Sequence, residues 1–327
     1  MGRVMNFVRP LAASIFCACM LPSAVWAQTY PERPVTIVVA FAPGGADDAT
    51  ARILQDPMQK ALGQPIVVEN VSGAGGMIAA AKVAHADPDG YTLLLLTASQ
   101  GSAVALYKTL PYDPVNDFVP VAMFGVQPSV LIAAPSKGWR SLADLIAAAK
   151  ANPGVLNFAS AGLGSASHWA AERLKVAAGI NVQHIPFRGP VEAFTEVMTG
   201  RVDYYYLPIA PALQPIRDGK VVALAVSTPK RAPTLPDVPS VVEAGYPGAQ
   251  YLFWGGVAVP AKTPRAIVEK LHAETAKALA VSAVQERLAT FGVEPMPMTV
   301  EAFGKFYRDD VAAIVKLARD VNIAATN

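Results

Sequence analysis

Three short runs of glycine, hydroxyl-bearing and small residues carry the chemistry that this sequence offers. The first is Phe41-Ala42-Pro43-Gly44-Gly45-Ala46-Asp47-Asp48, the second Thr97-Ala98-Ser99-Gln100-Gly101-Ser102, and the third Ser160-Ala161-Gly162-Leu163-Gly164-Ser165-Ala166-Ser167-His168. Each follows a strand-like apolar run and opens a helical stretch. Glycine lets the backbone approach a ligand closely. A helix start presents N–H groups without intrahelical partners, together with the positive end of the helix dipole. The combination binds anions, carboxylates among them. Candidate contacts are Phe41, Gly44, Gly45 and Asp48; Thr97 and Ser99; and Ser160, Gly164, Ser165 and His168. A plainer reading stands beside this one. The first run can be a tight turn capped by Asp48, and His168, one turn into its helix, can brace the loop. Ligands of open α/β sheets bind at the carboxyl ends of strands, and three such turns in equivalent places favour the anion site.

Other chemistry is sparse. No Gly-Lys-Ser/Thr makes a nucleotide loop of the third run, and no Gly-x-Ser-x-Gly makes it a nucleophile elbow. Gly73-Ala74-Gly75-Gly76 lacks the third glycine of a dinucleotide fingerprint and reads as a structural turn. His85, His168, His184 and His272 show no metal-ligand spacing. Asp309 and Asp310 read as solvated residues of the last helix. Ser165 and His168, on one helical face, are the single nucleophile–base candidate. They keep an exported serine hydrolase as an alternative, although no third partner is visible. No cofactor is expected, and the protein reads as a non-enzyme.

The elements that must hold these turns alternate. Val35–Phe41 is an almost unbroken apolar run, as in a strand buried on both faces. A helical stretch from Ala49 stops at Gly63, and Ile66–Glu69 and Tyr91–Thr97 are further strands around an Ala-rich helix. In the second half Val130–Ala134, Asn157–Ser160, Val182–Ile185, Val202–Tyr206 and Val221–Ser227 read as strands. Ser141 with Asp144 forms a capping box for a helix over Leu142–Lys150. Thr263–Pro264 reads as a helix cap, and Ser282 and Thr299 as the caps of two last helices. This rhythm predicts an α/β fold of mainly parallel sheets flanked by helices.

Composition bounds the rest. Arg3 and Arg9 precede and flank the apolar run Leu11–Leu21, and Val25-Trp26-Ala27 offers a cleavage site before Gln28, the layout of a secretory signal peptide over 1–27. The run is too short for a membrane span, which needs about 20 residues. A lipoprotein signal at Cys19 is disfavoured by Phe16 three positions upstream. Cys17 and Cys19 are the only cysteines, so the mature chain would form no disulfide. The whole chain has 27 basic and 25 acidic residues, and loss of Arg3 and Arg9 would leave 25 of each. No basic stripe points to nucleic acid.

Taken in order, these motifs resemble the solute receptors of tripartite tricarboxylate transporters, the Bordetella uptake family. The likeness rests on Tyr30–Val35, Phe41–Asp48, Leu62–Pro65, Val67–Asn70, Gly73–Gly76, Pro88–Thr92 and Leu110–Asp113. It continues through Ala159–Gly162 with Gly164, Ser165 and His168, then Gly200–Asp203, Pro239-Ser240, Glu243–Gly245, Trp254 and Pro260. The resemblance implies a two-lobed periplasmic-binding-protein fold, type II-like. Lobe 1 would be 30–126 plus 255–327, and lobe 2 would be 127–254. It implies a monomeric periplasmic receptor that takes a small carboxylate and works with membrane transporter subunits. It also implies that Ser99, the two longer turns, and the strand end at Asp203 and Tyr204 line the cleft. Leu207 stands where the family often has an acid or amide, which suggests a ligand with an aromatic or largely apolar body. A sensor that binds the same solute but signals through another partner fits the same residues.

Overall fold

The computed structural model describes residues 1, 2, 30–41, 43–73, 76–323 and 325. Met1–Tyr30 and Pro31–Asn327 are separate units, and every element below belongs to the second. Beyond residues 1 and 2 the expected leader, with its cleavage site before Gln28, lies outside the described residues, as do Ala42, Ala74 and Gly75.

Pro31–Asn327 is built on two five-stranded sheets. In chain order the first contains β1 (Val35–Val39), α1 (Ala46–Leu62), β2 (Ile66–Asn70), α2 (Met77–Ala84), β3 (Thr92–Thr97), α3 (Ala98–Leu106) and β4 (Phe118–Gln127). The chain then crosses at Pro128 into β5 (Ser129–Ala133), α4 (Leu142–Ala151), β6 (Asn157–Ser160), α5 (Ala166–Ala178), β7 (Gln183–Pro186), α6 (Pro190–Met198), β8 (Tyr204–Pro208), α7 (Ile209–Arg217) and β9 (Val222–Val226). It returns through β10 (Phe253–Pro260) and closes with α8 (Arg265–Leu279), α9 (Ser282–Thr290) and α10 (Val300–Asp320). Strand order is β2-β1-β3-β10-β4 in the first sheet and β7-β6-β8-β5-β9 in the second.

The two-sheet α/β fold agrees with the alternation in the sequence. The sheets are more mixed than a purely βαβ rhythm implies. β1 pairs in parallel with β2 and β3, and β6 with β7 and β8. β10 runs antiparallel to β3 and β4, and β5 to β8 and β9. The reason is the route of the chain: β5 and β10 are the strands that arrive from the other sheet, and both enter reversed.

β8 shows how each sheet is covered on two faces. Side chains alternate along a strand. Tyr204 and Tyr206 join the buried cluster with Leu142, Leu145 and Trp169 from α4 and α5. Tyr205 and Leu207 join the cluster with Ala193 and Val197 from α6 and Ala212 from α7. The first cluster also takes in Val38, Leu94, Leu96, Phe303 and Tyr307 of the first sheet and α10, so one apolar core bridges the two sheets. Ser141 and Asp144 make the expected capping box, and Thr299 caps α10. Ser282 is the first residue of α9 and not its cap, and Thr263 turns its hydroxyl back to the Pro260 carbonyl. Among the described residues no helix is long and apolar enough to cross a membrane.

Candidate functional site

The turn after β1 is held by an acid. Asp48 is buried, with 3% of its surface exposed. Its carboxylate accepts hydrogen bonds from the Gly44 amide at 2.9 Å, from Arg52 Nε at 3.0 Å and from Asn70 Nδ2 at 3.0 Å. Asn70 Nδ2 also donates to the Phe41 carbonyl. Burial alone would raise the Asp48 pKa, but the bonds from Arg52, Gly44 and Asn70 outweigh it and hold the group below its ordinary range. The structure therefore assigns Asp48 to bracing the turn. Gly44 adopts φ +87°, a region that favours glycine. Gly45 then opens α1 with no side chain to cap it, so the first-turn amides of α1 remain available to a ligand.

The turn after β3 is capped from within. Thr97 Oγ1 accepts from the Ser99 amide, and Gln100 Oε1 accepts from the Thr97 amide at 2.8 Å. This is a capping box that the spacing Thr97-x-x-Gln100 already contains. Thr97 is thus occupied, whereas the Ser99 hydroxyl has no partner among the described residues. Ser102 Oγ reaches out of α3 to the Gly164 carbonyl at 3.1 Å and joins the two sheets.

The turn after β6 consumes most of its own amides. Ala161 N–H donates to Ser167 Oγ, Gly162 to Ser160 Oγ, Gly164 to His168 Nδ1 and Ser165 to the Gly162 carbonyl. Ser165 Oγ caps α5 by accepting from the His168 amide. The amides left over at this helix start are those of Ala166 and Ser167, two to three residues past Gly164. His168 is 1% exposed and stacks on His184 with ring centroids 4.1 Å apart. Burial, with help from His184 and Lys175, pushes its pKa well down. Burial and Lys175 lower His184 to about 4. Both rings are neutral at pH 7, and His168 is a brace for the turn. Ser165 Oγ meets the backbone of His168 and not its ring, so the nucleophile–base pair of a hydrolase is not formed there. Ser160 Oγ does lie 2.6 Å from His184 Nε2, but Ser160 is fully buried and also bonded to Gly162.

Asp203 and Tyr204 do not join these turns. Asp203 precedes β8, where its carboxylate accepts from the Asn157 amide at 2.7 Å and pairs with Lys137. Asn157 begins β6 and Ser160 ends it, so Asp203 sits about 10 Å along the strands from the Ser160 turn. Asp203, expected to line the cleft with the turns, lies at the amino end of β8. Tyr204 is fully buried and stacks on Phe158 at 5.7 Å. Leu207 is 2% exposed within the core, and so carries no information about the ligand.

What does converge is the carboxyl ends of the strands. Ser102 and Leu106 of the first sheet's α3 press on Gly164, where an added Cβ would lie 2.6 Å from Leu106 Cδ1. On the opposite flank, Gly292 after α9 faces Ala210 at the start of α7. The uncapped start of α1, the Ser99 hydroxyl and the α5 start each follow the carboxyl end of a strand of their sheet. Among the described residues no cluster of His, Cys, Asp and Glu is suited to a metal.

Residues 50–323 match the model of the tripartite tricarboxylate transporter family receptor. The chain belongs to that receptor family. Its relatives include a protein encoded between tcbD and tcbE in Pseudomonas sp. strain P51, 38% identical over 91% of this chain and 89% of that protein. Protein BugT of Bordetella pertussis is 37% identical over 97% of this chain and 98% of its own length. Among solved structures, the periplasmic binding protein BugD superposes with a TM-score of 0.81 at 36% identity, covering 91% of this receptor and 100% of that chain. MatC of Rhodopseudomonas palustris with bound malate gives 0.80 at 37% identity over 88% and 100% of the two chains. R. palustris Rpa4515 with adipate gives 0.83 at 32% over 91% and 100%. The receptor thus shares its fold with two-lobed periplasmic binding proteins, and the family is one of solute-binding receptors and not of enzymes.

Proposed function

We propose that this protein is exported to the periplasm, captures a small carboxylate between its two lobes, and delivers it to the membrane subunits of a tripartite tricarboxylate-type transporter. The lobes are taken as 30–126 plus 255–327 and 127–254, a division that follows sheet membership closely. The observation that carries the reading is the pair of helix starts, α1 and α5, at the carboxyl ends of their sheets with amides to spare. Solved relatives hold malate and adipate, which fits a carboxylate guest here. Hydrogen bonds to a charged group contribute about 1.5–3 kcal/mol each. Three or four of them contribute about 5–12 kcal/mol before the cost of association; a micromolar Kd corresponds to about −8 kcal/mol, so burial of the ligand's apolar body must add to them. Ser99 adds a hydroxyl donor, and the braces Asp48 and His168 keep both turns rigid before the ligand arrives.

Calorimetry against a panel of mono- and dicarboxylates tests the reading. Micromolar binding of at least one carboxylate is expected, weakened by Ser165→Pro, which removes the cap and the turn bond of α5. Absence of binding across the panel would defeat it. Uptake of that carboxylate in a deletion strain separates transport from sensing: a transport receptor loses uptake, whereas a sensor loses only the response.

A further inference from the structure

One acid of the first turn has no structural task. Asp48 is fully engaged, but its neighbour Asp47 makes no hydrogen bond or ion pair among the described residues. Asp47 lines a cavity of about 20 Å³ together with Leu95, Phe124, Gly125, Gln127 and Gly255. That is room for about one water or one small polar group. Nothing would obstruct a Cβ at Gly255, so the cavity stays open on that side. It lies at the carboxyl end of β3 and against β4 and β10, the strands next to the crossing between sheets. Val293, which also lines it, adjoins the Gly292 that faces Ala210 of the other sheet.

Among the described residues no cation is paired with Asp47. On its own helix Asp48 and Arg52 bond to each other. On α8, His272 bonds to the Val121 carbonyl. Glu286 and Arg287 on α9 are exposed, and Glu294 is tied through its backbone to Val126. Asp47 is partly buried, and desolvation against the cavity wall pushes its carboxyl up to about 6. An acid left without a partner in a small niche walled mainly by Leu95, Phe124, Trp254 and Val293 is a group that waits for a donor.

We infer that Asp47 is a specificity-determining residue of the carboxylate site: it favours a monocarboxylate that carries a hydrogen-bond donor, a hydroxyl or an ammonium, at its far end, and it disfavours a second carboxylate there. The inference rests on the carboxylate reading above and narrows it. A donor entering the cavity satisfies the carboxylate directly. A second carboxylate brings like charge against Asp47, which must then take up a proton before the ligand seats. The solved relatives hold dicarboxylates, so the inference sets this receptor's preference apart from theirs.

The experiment compares matched ligands by calorimetry on the mature protein: 6-hydroxyhexanoate and 6-aminohexanoate against adipate, and 4-hydroxybutanoate against succinate. At pH 7.5 the donor-bearing acids are expected to bind at least about tenfold more tightly than their diacids. Between pH 7.5 and 6.0 diacid affinity should rise about 15-fold, as the protonated fraction of a group with pKa about 6 rises. Asp47→Asn should bind both classes alike at either pH, and it also serves as the control for titration of the ligands themselves. The wild-type pH series stands by itself if the variant misfolds. Equal or preferred diacid binding at pH 7.5, or a preference that survives Asp47→Asn, overturns the inference and leaves the carboxylate reading intact. If no acid of either class binds either protein, both fall.

Discussion

Two acids next to each other in the chain, Asp47 and Asp48, have opposite surroundings, and that difference defines the site at the scale of residues. Asp48 accepts four hydrogen bonds from three residues, Gly44, Arg52 and Asn70. Asp48→Asn should therefore destabilise the protein by about 1–3 kcal/mol at pH 7, the cost of disturbing a buried charge-assisted set. Its pKa in the folded state lies below the ordinary value of 3.8. The unfolded chain takes up the proton first on acidification, so this stabilisation is present above pH 3.8 and is lost as pH falls through the lower folded value. Urea unfolding at pH 7 and pH 3 should show a large gap between wild type and Asp48→Asn at the first pH and a smaller one at the second. Residue identity alone does not separate the two acids, because both lie in the first turn of one helix. What separates them is which one meets Arg52 and Asn70, and Asn70 comes from the neighbouring strand.

At the scale of elements, the turn between β6 and α5 is a self-contained unit. Its glycines and hydroxyls were legible in the sequence as a helix start, but their use was not. The amides of Ala161, Gly162, Gly164 and Ser165 are taken by three side chains and one carbonyl two to six residues away in the chain, and a list of residue types does not reveal which pairs close. Asp203 illustrates the same difficulty across strands. Its pairing with Asn157 and Lys137 fixes it at the amino ends of β6 and β8, and only the register between those strands shows this. The Thr97–Gln100 box, by contrast, is local and was readable. Gly164 sits at φ +79° under Leu106 and Ser102. Gly164→Ala should cost about 1–3 kcal/mol through backbone strain and should also loosen α3 from the turn. The expected readouts are a lowered Tm and weaker carboxylate binding; full-strength binding would show that the α3 contact is dispensable. The stacked pair beneath the turn titrates separately from Asp48. His184 has a folded pKa of about 4 against an ordinary 6.5. The unfolded chain is protonated first as pH drops, so the stability tied to its neutral form is full above 6.5 and lost on the way down to about 4. A Tm series from pH 7.5 to 4 should fall less steeply in His184→Gln than in wild type.

For the whole molecule, the alternation of apolar runs with helical stretches made the α/β class legible, and the ordered motifs made the family legible. The long antiparallel pair β4 and β10 was not. Phe118–Gln127 and Phe253–Pro260 are far apart in sequence, and their pairing follows from the chain leaving one sheet and returning to it. That crossing also places the start of α1 and the start of α5 at the same ends of two sheets that share one core. A carboxylate held there is bound mainly by backbone, which agrees with a sequence that has no lysine or arginine in any of the three turns. The most direct measurement is a crystal structure of the mature protein with a tightly bound carboxylate. The carboxylate oxygens should lie within hydrogen-bond reach of first-turn amides of α1 and of Ala166 or Ser167 in α5. A ligand seated instead in the outer groove lined by Val104, Tyr107 and Lys108, or neutralised by a basic side chain with those amides still facing water, would contradict the account.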